Sequence, residues 1–195
     1  MSKNFNIILM MIFSIIGSAF AQNIIIKEVE NYISEDIQEI LFISIKNQKL
    51  YHIKNQKIIT QYIISSSKYG TGNKQNSNKT PLGLHKIKNK YGKKTPENGI
   101  MISRNFTGKI ATIYNDTTKS KTDDITSRIL WLEGLEEGKN KGAGIDSYER
   151  YIYIHGTSEE GLLGTPSSHG CIRMKNKDII DLHKIIEVGT LVLIL

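Results

Sequence analysis

The chain has 195 residues, 39% of them hydrophobic and 23% charged, which is typical of one globular domain and argues against disorder of the whole chain. The formal net charge of +7 favours an anionic partner, but the sequence has no arginine-rich helix, zinc-finger spacing or RNA-binding aromatic motif, so we predict no nucleic-acid partner. The single cysteine excludes an internal disulfide and cannot alone form a structural zinc site.

The first 21 residues have the features of a secretory signal peptide. An early lysine precedes an apolar core over residues 7–17, and Ala19 and Ala21 form an A-x-A cleavage pattern. The apolar run is too short for a comfortable membrane span. We therefore predict cleavage before Gln22, export to the periplasm or cell wall, and no membrane association after cleavage; a retained N-terminal anchor is the alternative.

The next part of the chain predicts a β-meander. Residues 22–37 are Ile-rich and then acidic, which indicates an N-terminal arm or a short helix ahead of a domain over residues 38–195. Three apolar runs follow, separated by two copies of Lys-Asn-Gln-Lys, in which asparagine favours turns. These runs predict strands over residues 41–45, 50–53 and 58–64.

The remainder alternates short strand patterns with polar loops. Residues 65–80, 88–99 and 133–148 are predicted loops, and the last is long enough to be a mobile lid. A helix is expected to begin at Asn176, which can cap it, and to end before Gly189. The predicted fold is mainly β, a β-sandwich or partly open barrel with one or two short helices. Further strands are predicted over residues 80–85, 100–113, 127–132, 151–154 and 191–195.

Two short motifs contain the candidate chemistry, His155-Gly156-Thr157 and the Ser-His-Gly-Cys-Ile-Arg-Met sequence of residues 168–174. An ordinary thiol, with a pKa of about 8.5, is a poor nucleophile at neutral pH. A nearby imidazole can take its proton, and the resulting ion pair lowers the thiol pKa. Because an unpaired thiol is a liability outside the cytoplasm, we predict that Cys171 is a nucleophile and His155 its base.

The glycines of both motifs also suit a reacting centre. Gly156 and Gly170 permit close backbone approach beside the reacting atoms. Backbone N–H groups around Gly170 and Cys171 are candidate donors to a tetrahedral oxyanion.

Together the two motifs resemble the signature of the YkuD-type L,D-transpeptidase catalytic domain, and the element Thr80-Pro81-Leu82-Gly83 is similar to a further part of that family. The resemblance covers roughly residues 38–195. It implies a β-sandwich-like domain in which the cysteine lies in a cleft under a lid. A peptidoglycan tetrapeptide stem would acylate Cys171 and release D-alanine, and an amine of a second stem would then form a 3-3 cross-link. It implies no metal and no other cofactor, and we expect a monomer.

The resemblance also implies roles for the motif residues. The carbonyl of Gly156 would orient the catalytic histidine, and His169 would assist substrate or oxyanion binding. Arg173 would support the site or meet a substrate carboxylate. Ser168 would contact substrate or only hydrogen-bond the turn. The predicted substrate-binding set is His169, Ser168, Gly170, Arg173 and Thr157.

Other functions stay open at this point. Within the same enzyme class, the acyl-enzyme could react with water, as in an L,D-carboxypeptidase, or attach a lipoprotein to the wall. A zinc hydrolase with His155, His169 and Cys171 as ligands is less favoured, as is a non-catalytic wall-binding protein. Three further histidines are predicted to lie at the surface, and Asp123 and Asp124 to be solvated: the histidines are His52, His85 and His183.

Overall fold

A computed structural model describes residues 22–33 and 37–195, and the predicted signal peptide lies outside these residues. Within them the protein is mainly β, and no helix there is long and apolar enough to cross a membrane. The helices are α1 (residues 22–32) and α2 (Asn176–Ile185). The strands are β1 (Glu39–Ser44), β2 (Lys49–Lys54), β3 (Lys57–Ser65), β4 (Gly83–Tyr91), β5 (Gly99–Ile102), β6 (Asn105–Ile110), β7 (Ile125–Gly134), β8 (Tyr153–Thr157), β9 (Ile172–Met174) and β10 (Leu191–Ile194).

Eight of these strands pair side by side into a ring. The order is β4-β10-β1-β2-β3-β9-β8-β7, and the pairing of β7 with β4 closes it, while β5 and β6 extend from β7. The predicted mainly β fold is therefore confirmed, and the pairing of β4 with β7 gives it the form of a barrel.

The main core lies on one face of the ring and against α2. Alternate residues along each strand point to this face, as the period of two in a strand requires. Ile154 and Ile172 are fully buried there, and the apolar side of α2 covers them with Ile179 and Leu182. This packing fixes the positions of β8 and β9, the two strands that flank the candidate site.

The opposite face carries two smaller clusters. One covers β1 and β2, where Ile25 and Val29 of α1 pack against Phe42 and Tyr51. The predicted arm is thus a helix that lies on the outside of the ring. The other covers β7 and β8 and includes Trp131.

Two local predictions are wrong. Residues 88–91 continue β4 instead of forming a loop, because this strand pairs with both β10 and β7 and the ring requires it to be long. Asn176 is the first residue of α2 and makes no capping bond there. Its buried side chain instead accepts hydrogen bonds from the hydroxyls of Thr126 and Ser127, both at 2.6 Å.

The three histidines predicted at the surface are all buried. Nδ1–H of His85 donates to the Gly83 carbonyl, and its Nε2 accepts from the hydroxyl of Ser147, each at 2.9 Å. His52 lies 2.8 Å from a carboxylate oxygen of Glu39. Sequence position alone did not reveal the partners Ser147 and Glu39, because Ser147 lies 62 residues from His85 and Glu39 lies 13 residues from His52.

Candidate active site

The parallel pairing of β8 with β9 brings the two motifs together. His155 is opposite Arg173, and Ile154 is opposite Ile172. Because side chains alternate along a strand, His155 and Arg173 point away from the core that buries the two isoleucines. Cys171 comes two residues before Arg173 and packs against the aromatic cluster on that same outer face. The candidate base and nucleophile therefore share one face of two adjacent strands.

The backbone fixes the tautomer of His155. Its Nδ1 lies 2.7 Å from the carbonyl oxygen of Gly156, which can only accept a hydrogen bond, so Nδ1 carries the proton. Nε2 of the neutral ring is then left to accept a proton. Burial lowers the pKa of His155 to about 4, so the imidazole is neutral at physiological pH.

The thiol of Cys171 is neutral as well. Its S–H donates to the carbonyl of Tyr151 at 3.3 Å, and its sulfur accepts from the backbone N–H of Tyr153 at 3.4 Å. Burial raises the pKa of Cys171 to about 11. Removal from water disfavours the charged form of both groups, so both are neutral in the free protein. Formation of the thiolate–imidazolium pair during the reaction stays a prediction.

Close packing makes Gly156 necessary. A Cβ atom at this position would lie 2.5 Å from Oδ1 of Asn176 and 2.7 Å from the carbonyl oxygen of Thr126. A side chain would push apart β7, β8 and the start of α2, and would disturb the carbonyl that orients His155.

Arg173 is at the centre of a buried ionic network. Only 1% exposed, it donates to Glu159 at 2.7 Å and also to a carboxylate oxygen of Asp123. The other oxygen of Asp123 accepts from Nδ1 of His169 at 2.6 Å. Burial raises the pKa of Asp123, but the charge of Arg173 and the hydrogen bond from His169 outweigh it and hold this pKa below its usual value. The prediction that Asp123 is solvated is wrong.

Three other residues of the predicted binding set are buried and contact the protein itself. Ser168 donates to the carbonyl of Cys171 at 2.6 Å and accepts from the N–H of Gly170 at 3.2 Å. The carbonyl of Gly170 accepts from the hydroxyl of Thr80 at 2.9 Å. The hydroxyl of Thr157 accepts from the backbone N–H of Glu159. These contacts hold the loop around the cysteine, and direct substrate contact by these residues stays a prediction.

His169 is exposed and stands between two hollows. The first hollow has a volume of about 490 Å³ and the second about 810 Å³. The first is lined by Gln75, Asn76, Asn78, Glu149, Arg150, Tyr151, Ile152 and His169. The second includes Lys68, Lys119, Lys121, Asp123, Glu159 and Arg173.

Asp123 and Glu159 were missed by the sequence reasoning. Arg173 lies between Ile172 and Met174 in a short strand, and both neighbours are fully buried. An arginine in a buried strand requires carboxylate partners, so its position between two apolar residues could have predicted a buried ion pair. It indicates that partners exist, but not which of the 19 acidic residues they are.

The described residues contain no preformed metal site. Within residues 22–33 and 37–195, no three His, Cys, Asp or Glu side chains are grouped so that they could hold a metal ion. The zinc alternative based on His155, His169 and Cys171 therefore lacks a ligand set in this part of the chain.

Two proteins of Bacillus subtilis (strain 168) that carry provisional L,D-transpeptidase names are similar to parts of the chain. YkuD is 39% identical over 65 residues, which are 31% of this chain and 40% of YkuD. YqjB is 36% identical over 107 residues, which are 44% of this chain and 60% of YqjB. The matched part thus spans less than two-thirds of either relative.

Solved structures of L,D-transpeptidases are similar at low sequence identity. The enzyme from Mycobacterium smegmatis is 15% identical with a TM-score of 0.48, covering 81% of this chain and 58% of that one. L,D-transpeptidase 3 from Mycobacterium tuberculosis, in complex with a faropenem-derived adduct, is 12% identical with a TM-score of 0.49, covering 80% and 60%.

The family model of YkuD, the L,D-transpeptidase catalytic domain, matches residues 38–194. This range includes nine-tenths of the described chain and every residue of the site. The chain therefore belongs to the YkuD family of L,D-transpeptidase catalytic domains.

Proposed function

We propose that the protein is an exported peptidoglycan L,D-transpeptidase with Cys171 as nucleophile and His155 as base. The observation that carries this proposal is the shared face of the two side chains on β8 and β9, together with a histidine tautomer that leaves Nε2 free. Residues 1–21 would be removed as a signal peptide. Residues 22–37 form the arm, and residues 38–195 the catalytic domain, in the periplasm or at the wall.

The acylation step begins with two neutral groups. The thiol hydrogen leaves the Tyr151 carbonyl and passes to Nε2 of His155 as the sulfur attacks the carbonyl of the third stem residue. A C–S bond forms, the amide C–N bond breaks, and the imidazolium returns its proton to the departing D-alanine amine. The thiolate and the imidazolium exist only during this step. Because the site excludes water, the two groups return to their neutral forms when the step is complete.

The oxyanion formed during attack needs a donor. The N–H of Gly170 already donates to Ser168, which leaves the N–H of Cys171 as the remaining donor of the predicted pair. His169, exposed at the mouth of the site, is placed to assist. Arg173 is fully engaged with carboxylates, so we assign it the role of holding Asp123 and, through it, His169.

The thioester is then resolved by an amine of a second stem. The amine nitrogen forms the new C–N bond and loses a proton to His155, and the C–S bond breaks to regenerate the thiol. The product is a 3-3 cross-link. Water in place of the amine would give a tripeptide.

Mass spectrometry of the products formed from purified disaccharide-tetrapeptide tests this proposal. We expect a dimer joined through two third residues, with release of D-alanine. Cys171→Ser should reduce the rate at least about a hundredfold, because an alcohol ionises far less readily than a thiol. Tripeptide alone would assign the protein as a hydrolase. An unchanged substrate, or full turnover by Cys171→Ser, would refute the proposed chemistry.

A further inference from the structure

Arg150 is a partly buried cation with no acidic partner among the described residues. Its guanidinium donates to the backbone carbonyls of Gly72 at 3.2 Å and Lys79 at 2.6 Å. Among residues 22–33 and 37–195, no carboxylate forms an ion pair with it. In contrast, Arg173 is paired with two carboxylates. A charged group withdrawn from water usually has an anionic partner, and here that partner is missing from the described protein.

The position of Arg150 relates it to the nucleophile. It directly precedes Tyr151, whose carbonyl accepts the hydrogen bond from the Cys171 thiol. Its charge is close enough to favour the thiolate and lowers the pKa of Cys171, although burial of the thiol outweighs this effect. The Lys79 carbonyl that holds the guanidinium lies 3.6 Å from the position that a Cβ of Gly170 would take. The guanidinium is therefore anchored next to the residue that precedes Cys171.

The hollow in front of Arg150 suits a small anion attached to a peptide. Apart from the exposed Glu149, its polar lining is neutral or basic. Guanidinium has five N–H donors, and the two carbonyls use only part of this set. Because these carbonyls tether the guanidinium, little conformational freedom remains to be lost when an anion binds. The amide lining comes from Gln75, Asn76 and Asn78.

We propose that Arg150 binds the free terminal carboxylate of the residue that leaves the donor peptide. This inference rests on the proposed function and identifies the free terminal carboxylate as the part of the donor peptide that the site recognises. In a tetrapeptide stem, only the amide nitrogen and one Cα separate the scissile carbonyl from this carboxylate. When Cys171 attacks the carbonyl, the carboxylate must therefore lie close to the reacting carbon, and the hollow next to His169 presents the Arg150 guanidinium to receive it.

The consequence is selection for a single residue after the scissile bond. A free carboxylate gains charge-assisted hydrogen bonds from Arg150. If that carboxylate is amidated, or joined to one more residue, the negative charge is lost from this position. Arg150 would then be a specificity residue that restricts the enzyme to tetrapeptide donors.

The second hollow offers a competing location for the carboxylate. Lys68, Lys119 and Lys121 are all exposed there, on the far side of His169. Exposed lysines on flexible stems are already solvated, so they gain less from binding an anion than the tethered guanidinium does. Lys121 therefore provides a matched control in which a cation is removed from the other hollow.

The test compares two donors, the disaccharide-tetrapeptide with a free terminal carboxylate and the same compound with a terminal amide. We expect the wild-type kcat/KM to favour the free acid by about 10-fold to 100-fold, the range typical of a hydrogen bond to a charged group. Arg150→Met should lose most of this preference by losing rate on the acid alone, and Arg150→Lys should be intermediate. Lys121→Met should retain the preference.

Binding to Cys171→Ala, measured by calorimetry, gives a readout that does not depend on turnover. The acid should bind more tightly than the amide, and Arg150→Met in this background should remove the difference. Arg150→Lys retains the charge and serves if Arg150→Met unfolds, which thermal unfolding would reveal.

The outcomes separate the two proposals. If both donors react equally well with the wild-type protein, or if Arg150→Met keeps the preference, the assignment of Arg150 is wrong while the transpeptidase proposal stands. If Lys121→Met loses the preference instead, the carboxylate binds in the second hollow and the assignment of Arg150 is also wrong. If neither donor reacts, the proposed function falls and this inference with it.

Discussion

Cys171 is flanked by two regions built on opposite physical principles. On one side is an aromatic flank, where rings stack on one another with few charges: Trp131, Tyr148, Tyr151 and Tyr153. On the other side is an ionic flank, where charges pair in a partly buried space: Asp123, Glu159, His169 and Arg173.

The two flanks differ in how much stability a side-chain substitution costs. Trp131 and Tyr148 stack with ring centroids 4.0 Å apart, and such contacts weaken gradually as ring area is lost. Arg173 and Glu159 instead depend on each other, because removing one leaves the other buried and unpaired. Substitutions should therefore cost more on the ionic flank than on the aromatic flank.

The strongest test of this comparison is Arg173→Met. We expect it to lower the free energy of unfolding by about 3–5 kcal/mol, because the carboxylates of Glu159 and Asp123 lose their counter-charge. Urea denaturation measures the change. A loss below about 1 kcal/mol would show that water reaches these carboxylates and that the two flanks do not differ in this way.

Lowering the pH should destabilise the protein through His155, the buried histidine beside the ionic flank. His155 has a pKa of about 4 when folded and 6.5 as a free group, so the unfolded chain binds the proton first as the pH falls. Its contribution to stability is therefore present above pH 6.5, falls by up to about 1.4 kcal/mol per pH unit below that, and levels off near pH 4.

Denaturant titrations between pH 7.5 and pH 4.5 measure this effect. His155→Gln should make the free energy of unfolding depend less steeply on pH. Part of the dependence should remain, because the pKa values of His85 and His183 are also lowered. An unchanged slope in His155→Gln would mean that this imidazole is not held neutral by burial.

Trp131→Phe tests the aromatic flank. The substitution keeps a ring but removes the indole N–H that donates to the Tyr148 carbonyl at 3.1 Å. We expect a loss of about 1–2 kcal/mol, similar to that for one buried hydrogen bond with some packing area. The pH dependence should match that of the wild-type protein. A loss as large as that of Arg173→Met would contradict the comparison.

The smallest effect is expected for Arg104→Ala, at the outer edge of the aromatic flank. The guanidinium lies 4.8 Å from the ring of Trp131, but water solvates it well. We expect a shift in the unfolding midpoint that is smaller than that of Trp131→Phe and that shrinks further at high salt. A shift larger than that of Trp131→Phe would mean that this cation–π contact contributes more to stability than the packing of the aromatic rings.

The two flanks also differ in how far the sequence predicted them. The apolar pattern predicted β7 over residues 127–132 and the start of β8 over residues 151–154, but it did not predict β9. The spacing of the His-Gly-Thr and Ser-His-Gly-Cys motifs indicated His155 and Cys171. These are local signals. The ionic flank depends on Asp123, which lies 173 − 123 = 50 positions before Arg173 and has no distinguishing neighbours.

The same reason explains the wrong loop at residues 88–91. This stretch is Lys-Asn-Lys-Tyr, which has no apolar alternation of its own. It is extended because β7, some forty residues later, supplies its hydrogen-bonding partners. Arg150 was missed because its proposed role follows from the absence of a paired carboxylate in the part of the chain that the structure describes. Only the folded structure reveals that absence.

The parallel pairing of β1 with β10 has a consequence for how the protein is made. Leu191 pairs with Ile40, which lies 191 − 40 = 151 positions earlier, and β10 also pairs with β4. Contacts so distant in sequence form slowly. Until β10 docks, β1 and β4 present open edges to which strands of other molecules can add. Loss of the last strand should therefore lead to aggregation during synthesis, before any defect in catalysis could be measured.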